Sequence, residues 1–142
     1  MDALSVATAI ITLASAISEG LRQAQTLRDA PVEIHALAND VIDLDIILQE
    51  VVKTLQEWSL PGKGHCSPST SENLSTVLGR AQTKLLELDS ILNRVLIEDP
   101  VTNRVKYARL GWLRQKSKVE GIRKDLASIK LSLNNVMEAA NS

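Results

Sequence analysis

Phenylalanine is absent from this chain, and Trp58, Trp112 and Tyr107 are its only aromatic residues. Leu, Ile, Val and Ala supply the apolar content instead, a mixture that favours helices joined through aliphatic seams over a β-sandwich. Cysteine occurs once, at Cys66, which excludes an intramolecular disulfide and makes a reducing, intracellular setting the default. No glycine-rich phosphate loop, internal repeat or strand alternation is visible. The most informative absence is one of charge. From Ala3 to Ser18 there is no Asp, Glu, Lys, Arg or His, whereas an ordinary surface helix carries charge on its outer face.

That leading segment is Leu4, Val6, Ile10, Ile11, Leu13 and Ile17 among alanines, relieved by Ser5, Thr8, Thr12 and Ser15. It opens with Asp2 and lacks the basic flank of a signal peptide, so retention in the mature protein is expected. Thr8, Thr12, Ala16 and Gly20 recur every four residues, a spacing that permits close helix–helix approach in a low-dielectric setting. Sixteen uncharged residues span roughly 24 Å as a helix, short of the ~30 Å hydrocarbon layer. Two readings follow: the most buried helix of a bundle, wrapped on all sides, or a segment that leaves the protein for lipid.

Charge is unevenly distributed behind a formal net of −1. Residues 1–100 carry seven Lys/Arg against fourteen Asp/Glu, and residues 101–142 carry nine against three. The chain is acidic for two-thirds of its length and basic at the end.

Three segments alternate apolar residues at spacings of three and four. The first runs Ile34, Leu37, Val41, Leu44, Leu48, Val51, Leu55, Trp58; the second Leu74, Leu78, Ala81, Leu85, Leu88, Leu92, Val95; the third Val119, Ile122, Leu126, Ile129, Leu133, Val136, Ala140. Each places one stripe on one helix face and suits knobs-into-holes packing. Ile42, Ile46, Ile47, Val52, Val77, Leu86, Ile91 and Leu131 widen the stripes towards a multi-helix bundle. Punctuation agrees: Asp2 caps the first helix, Asp29-Ala30-Pro31 breaks before the second, and Ser69/Glu72 and Ser117/Glu120 have capping-box spacing. Asp99-Pro100 reads as a cap with Pro at the first helical position. The expectation is an all-α bundle in a single domain over 1–142. Its helices fall at 3–28, 31–58, 71–97, 101–114 and 118–139, four long and one short, with a Gly/Pro/Ser-rich loop at 59–70.

Between Asp99 and Glu120 every charged residue is basic: Arg104, Lys106, Arg109, Arg114, Lys116 and Lys118, interleaved with Tyr107 and Trp112. This segment, 104–118, suits the headgroup zone of an anionic membrane. The alternative is pairing with the acidic faces at Asp40, Asp43, Asp45, Glu50 and Glu57. Trp112 continues the spacing Val101, Val105, Ala108, which favours a packed indole. Nucleic acid is a weaker candidate partner, because the chain is slightly acidic and has no recognised binding motif. His35, His65 and Cys66 lack the paired spacing of a metal site. No nucleophile stands beside a base, so no catalytic residue, metal or cofactor is expected and the chain reads as a non-enzyme.

The opening Met1-Asp2-Ala3-Leu4-Ser5-Val6-Ala7, followed by a neutral helix, resembles the start of fungal HeLo-like domains. These include the HELL subgroup and the N-terminal domains of fungal STAND proteins, which are NOD-like receptors. Arg28 to Val41 is similar to their second helix, and Gly111 to Val119 with the Leu/Ile-rich run after it is similar to their last. The resemblance covers essentially the whole chain, with no catalytic signature to anchor it. It implies a helical cell-death execution module of innate immunity, cytoplasmic at rest and moving to the plasma membrane on activation. It also implies self-association into a homo-oligomer, further receptor domains in cis, and membrane targeting or pore formation through the N-terminal helix. Carried onto this sequence, that role falls on Leu4, Val6, Ile10, Ile11, Leu13 and Ile17, with Glu19 as a candidate ion-path residue. The basic run itself, apart from the resemblance, makes Arg104, Lys106, Arg109, Arg114, Lys116 and Lys118 the residues expected to meet lipid headgroups. The rival reading is an interaction bundle that self-associates or recruits a protein without touching lipid.

Overall fold

The computed structural model describes residues 2–27, 30–58, 67–102 and 105–141. Four helices, α1 (Ala3–Gln25), α2 (Val32–Trp58), α3 (Pro68–Val95) and α4 (Arg109–Asn141), form an all-α bundle. Two three-residue strands, β1 (Leu96–Glu98) and β2 (Val105–Tyr107), pair antiparallel between α3 and α4.

Local chemistry sets most of the boundaries. Asp2 caps α1 through its Oδ1, which accepts from the Ser5 amide at 2.7 Å. The helix ends at Gln25, three residues before the expected limit, where the Thr26 hydroxyl donates to the Gln23 carbonyl at 2.6 Å. Pro31 precedes α2, and its carbonyl accepts from Ile34 at 3.0 Å; Asp29 lies outside the described residues. α3 starts earlier than the Ser69/Glu72 capping box predicts. Ser67 is the cap, its Oγ accepting from the Thr70 amide at 3.2 Å, and Pro68 takes the first turn, where its missing N–H costs nothing. Of the expected 59–70 loop, residues 59–66 lie outside the description and 68–70 are already helix.

Within the expected short helix at 101–114, residues 105–107 are strand and 109–114 open α4. Asp99 Oδ1 instead accepts from the Val101 amide at 2.9 Å, making an Asx turn where a helix cap was anticipated. Leu96↔Tyr107, Ile97↔Lys106 and Glu98↔Val105 then pair as a hairpin rich in residues that suit strands. The Ala108 amide donates to the Val95 carbonyl at 2.7 Å and closes the hairpin onto the end of α3. From Arg109 the chain is one continuous helix. No Pro or Gly stands between Arg114 and Lys118 to break it, so Ser117 sits mid-helix and the Ser117/Glu120 box goes unused.

The three periodic stripes make the core. Every member of the α3 stripe is buried, as are Ile34 to Val51 on α2 and Val119 to Leu133 on α4. Val77 and Ile91 join them, Ile47 and Val52 pack against the edge, and Ile42, Ile46, Leu86 and Leu131 face solvent. Trp112 is buried at 4% exposure, as its spacing with Ala108 implies, while Val101 at the start of that spacing is 88% exposed in the turn.

Packing order decides what each helix presents. α1 packs on α2 and α3, and α4 packs on α3 and α2. Glu33 meets Lys116 and Asp40 meets Arg123, so α2 and α4 run parallel. Arg80 with Ser128 and Lys84 with Asp125 set α3 antiparallel to α4. α1 and α4 therefore occupy opposite corners.

Candidate functional site

α1 is neither wrapped on all sides nor free of the bundle. Ala7, Ile10, Ala14, Ile17, Leu21 and Ala24 are buried on one stripe, and the opposite stripe faces solvent. The expectation of a central helix fails for a steric reason. Four helices with wide stripes fill the bundle as a square, and each corner position leaves one face open.

The open face is Ser5, Thr8, Ala9, Thr12, Ser15 and Ala16, all exposed and all uncharged. Two of its hydroxyls are already satisfied inside the helix: Thr8 donates to the Leu4 carbonyl at 2.9 Å and Thr12 to the Thr8 carbonyl at 3.2 Å. The recurrent Thr8, Thr12, Ala16, Gly20 spacing lies on this outer side, away from the core. α1 is also the one described helix long and apolar enough to cross a membrane, with 28% of its most apolar window buried. Its 23 residues extend about 35 Å at 1.5 Å per residue. Glu19 and Arg22, near its end, neutralise each other at 2.6 Å. The Arg22 hydrogen bond holds the Glu19 carboxyl below its ordinary value. Of the residues carried over from the resemblance, Ile10 and Ile17 are core, while Leu4, Val6, Ile11 and Leu13 are half-buried.

The neutral face continues onto α2. Gln25 Nε2 lies 3.2 Å from His35 Nδ1, which marks the flank of α2 beside α1. Ile42 and Ile46, seven and eleven residues further on, fall on that flank by helical spacing. They are 45% and 56% exposed. By helical spacing the same seam holds Ser18 Oγ and Asp45 Oδ1, both buried and without a hydrogen-bond partner among the described residues. Burial pushes the Asp45 carboxyl up, partly opposed by the hydrogen bond its Oδ2 accepts from Gln49 at 3.2 Å.

The basic segment divides by direction. Lys116 turns inward to Glu33 at 3.1 Å. That contact raises Lys116, and Glu33 is lowered first by its own backbone amide and then by Lys116. Lys106 lies 3.7 Å from Asp99, whose carboxyl is held down chiefly by the Val101 amide. Arg109, Arg114 and Lys118 are exposed and in no ion pair among the described residues. Arg104 lies outside the description, as do His65 and Cys66. Among the described residues, the basic segment makes no ion pair with Asp40, Asp43, Asp45, Glu50 or Glu57. Asp40 and Asp43 take Arg123 and Lys130, one to two turns or more beyond that segment.

Exposed apolar residues beside the basic segment were not singled out from sequence. Leu110 is 70% exposed, Leu113 60% and Ile97 53%. A helical-wheel plot of α4 from Arg109 contains the signal for the two leucines, because they fall outside the core stripe. Ile97 needed the hairpin. Comparison of the chain with known family models, curated proteins and solved structures returns no match.

Proposed function

We propose that this bundle is a non-enzymatic cell-death execution module of the HeLo-like kind, which oligomerises on activation and targets or permeabilises membranes through α1. The observation carrying this reading is the outer face of α1, uncharged from Ala3 to Ser18 although it is exposed. A solvent-facing helix gains nothing from avoiding charge over four turns; a helix that must also tolerate hydrocarbon does. Its threonine hydroxyls bond within the helix, which lowers the cost of moving them out of water.

Magnitudes set the order of events. Releasing α1 exposes Ile10, Ile17 and Leu21, at about 1.5–3 kcal/mol each, or roughly 5–9 kcal/mol together in water. An isolated bundle therefore keeps α1 docked. Release needs lipid or gathered copies to offset that cost. Glu19 is paired with Arg22 in the resting bundle, and an ion-path role for it requires that exposed pair to open.

The test is dye release from anionic vesicles. Thr12→Glu with Ala16→Glu charges the open face without touching the core, so it is expected to abolish leakage while leaving helicity and melting temperature unchanged. Wild-type leakage by that variant overturns the reading. Ile10→Asp is a poorer probe, because a charge at a fully buried position unfolds the bundle.

A further inference from the structure

We infer that the folded bundle first docks on an anionic bilayer through the N-terminal corner of α4, with α1 still in place and facing away from the lipid. This inference rests on the membrane reading above and names the surface that precedes α1.

Leu110, Leu113, Arg114 and Ser117 stand at i, i+3, i+4 and i+7, so they share one outward stripe, and all four are exposed. Two leucines at 70% and 60% exposure are not the fringe of the core. Their neighbour Trp112 is 4% exposed, which shows that this turn had a buried face available and placed the leucines elsewhere. Arg109 precedes the stripe, and Lys118 follows it in a groove shared with Leu86 and Arg94 of α3. In the hairpin, Ile97 and Lys106 are cross-strand partners and so project from one side of the ribbon. The other side, with Leu96 and Glu98, lines the groove against Ala16, Ile17 and Gly20 of α1.

Lys84, Lys116, Arg123 and Lys130, which look along the helix seams, each have a carboxylate partner. Arg94, Arg109, Arg114 and Lys118, which look outward around the leucines, are in no ion pair among the described residues. Lys53, Arg80 and Lys124 lie away from this corner and are likewise in no ion pair among the described residues, so it is the company of exposed leucines that distinguishes the basic groups here. Unpaired cations interleaved with exposed leucines match a surface that is anionic at its headgroups and apolar just beneath. A nucleic acid would leave the leucines in water, which favours lipid. Because α1 and α4 hold opposite corners, a flat bilayer under this stripe does not reach the open face of α1.

Co-sedimentation of the full chain with phosphatidylserine/phosphatidylcholine vesicles tests this. Arg109→Gln with Arg114→Gln is expected to weaken binding about thirty-fold at low salt, from about 1 kcal/mol per basic residue. Leu110→Ser with Leu113→Ser should weaken it about ten-fold without changing the salt dependence. Both pairs are exposed, so melting temperature should hold. Thr12→Glu with Ala16→Glu should dock as wild type while failing to leak. Wild-type binding by both corner variants overturns the docking surface, as does loss of docking in the α1 variant. Tight corner-dependent binding of a nucleic-acid probe with none to vesicles overturns it too. Corner-dependent docking without any leakage keeps this inference and removes the permeabilising role; α1-dependent leakage that ignores the corner does the reverse.

Discussion

Arg123 of α4 donates from Nε to Asp40 Oδ2 of α2 at 2.7 Å, across 83 residues of sequence. Glu33 and Lys116 are separated by the same interval and pair at 3.1 Å, so two contacts fix one parallel register between α2 and α4. Lys130 reaches both Asp40 and Asp43 at 3.9 Å and extends the network by two further turns. Asp40→Ala removes the shared acceptor, leaving Arg123 without its carboxylate and Lys130 with Asp43 alone. Its expected cost is about 1 kcal/mol, modest because the groups are partly hydrated. Urea denaturation measures it, and a cycle with Arg123→Gln should return a coupling near 0.5–1 kcal/mol.

Asp45 makes the opposite prediction. Its Oδ1 is buried on the seam between α1 and α2 without a partner among the described residues, and burial raises the carboxyl. A folded value above the unfolded one means the native state gains stability as pH falls through the folded value, and loses it above. Asp45→Leu should therefore raise the melting temperature at neutral pH, by the equivalent of about 1 kcal/mol. That advantage should shrink on acidification towards the ordinary carboxylate range near pH 4. A constant difference from pH 7 to pH 4 would refute the assignment. Tighter docking of α1 in this variant should also slow amide exchange along residues 10–18.

Glu33 carries the acid-side counterpart. Its folded value lies below the unfolded one, through its own amide and Lys116. The contribution is present above the unfolded value and is lost as pH falls through the folded value. Glu33→Gln should flatten the decline of melting temperature below about pH 4.5, measured by circular dichroism.

Ser67 and Ser69 separate the two possible starts of α3. The hydroxyl of Ser67 accepts from Thr70, while Ser69 is exposed inside the first turn. Ser67→Ala should cost about 1 kcal/mol, and Ser69→Ala close to nothing, in thermal denaturation.

Trp112 anchors the junction of hairpin and α4. It is 4% exposed beside Gly111, where a side chain would meet Ala108 and Val95 at ordinary van der Waals distance. Trp112→Ala should cost about 3–4 kcal/mol and remove the buried-indole fluorescence, leaving only Trp58 emission.

The helices were legible because their signal is local. Strict three-four spacing from Ile34 to Trp58, Leu74 to Val95 and Val119 to Ala140 marks one face per helix whatever that face packs on. The hairpin was not legible. Val101, Val105, Ala108 and Trp112 mimic a helical stripe, and the decision fell to the Asp99 side chain bonding Val101 and to Ala108 bonding Val95, the second a contact across thirteen residues. Ser117/Glu120 misled for the related reason that a capping box acts only where the preceding turn is broken.

For the candidate site, composition alone supplied the neutrality of residues 3–18 and the basic run after Asp99, since charge is a property of side chains before any fold exists. Direction belonged to the tertiary structure. Which cations look inward to Glu33, Asp40 and Asp43, and which remain among exposed leucines, depends on the register of α4 against α2 and α3. Whether α1 hides its uncharged surface or shows it depends on its place at a corner of the bundle. Helical periodicity repeats every few residues and can be read along one segment, whereas the partner of a face is chosen by chain packing over distances that no local pattern encodes.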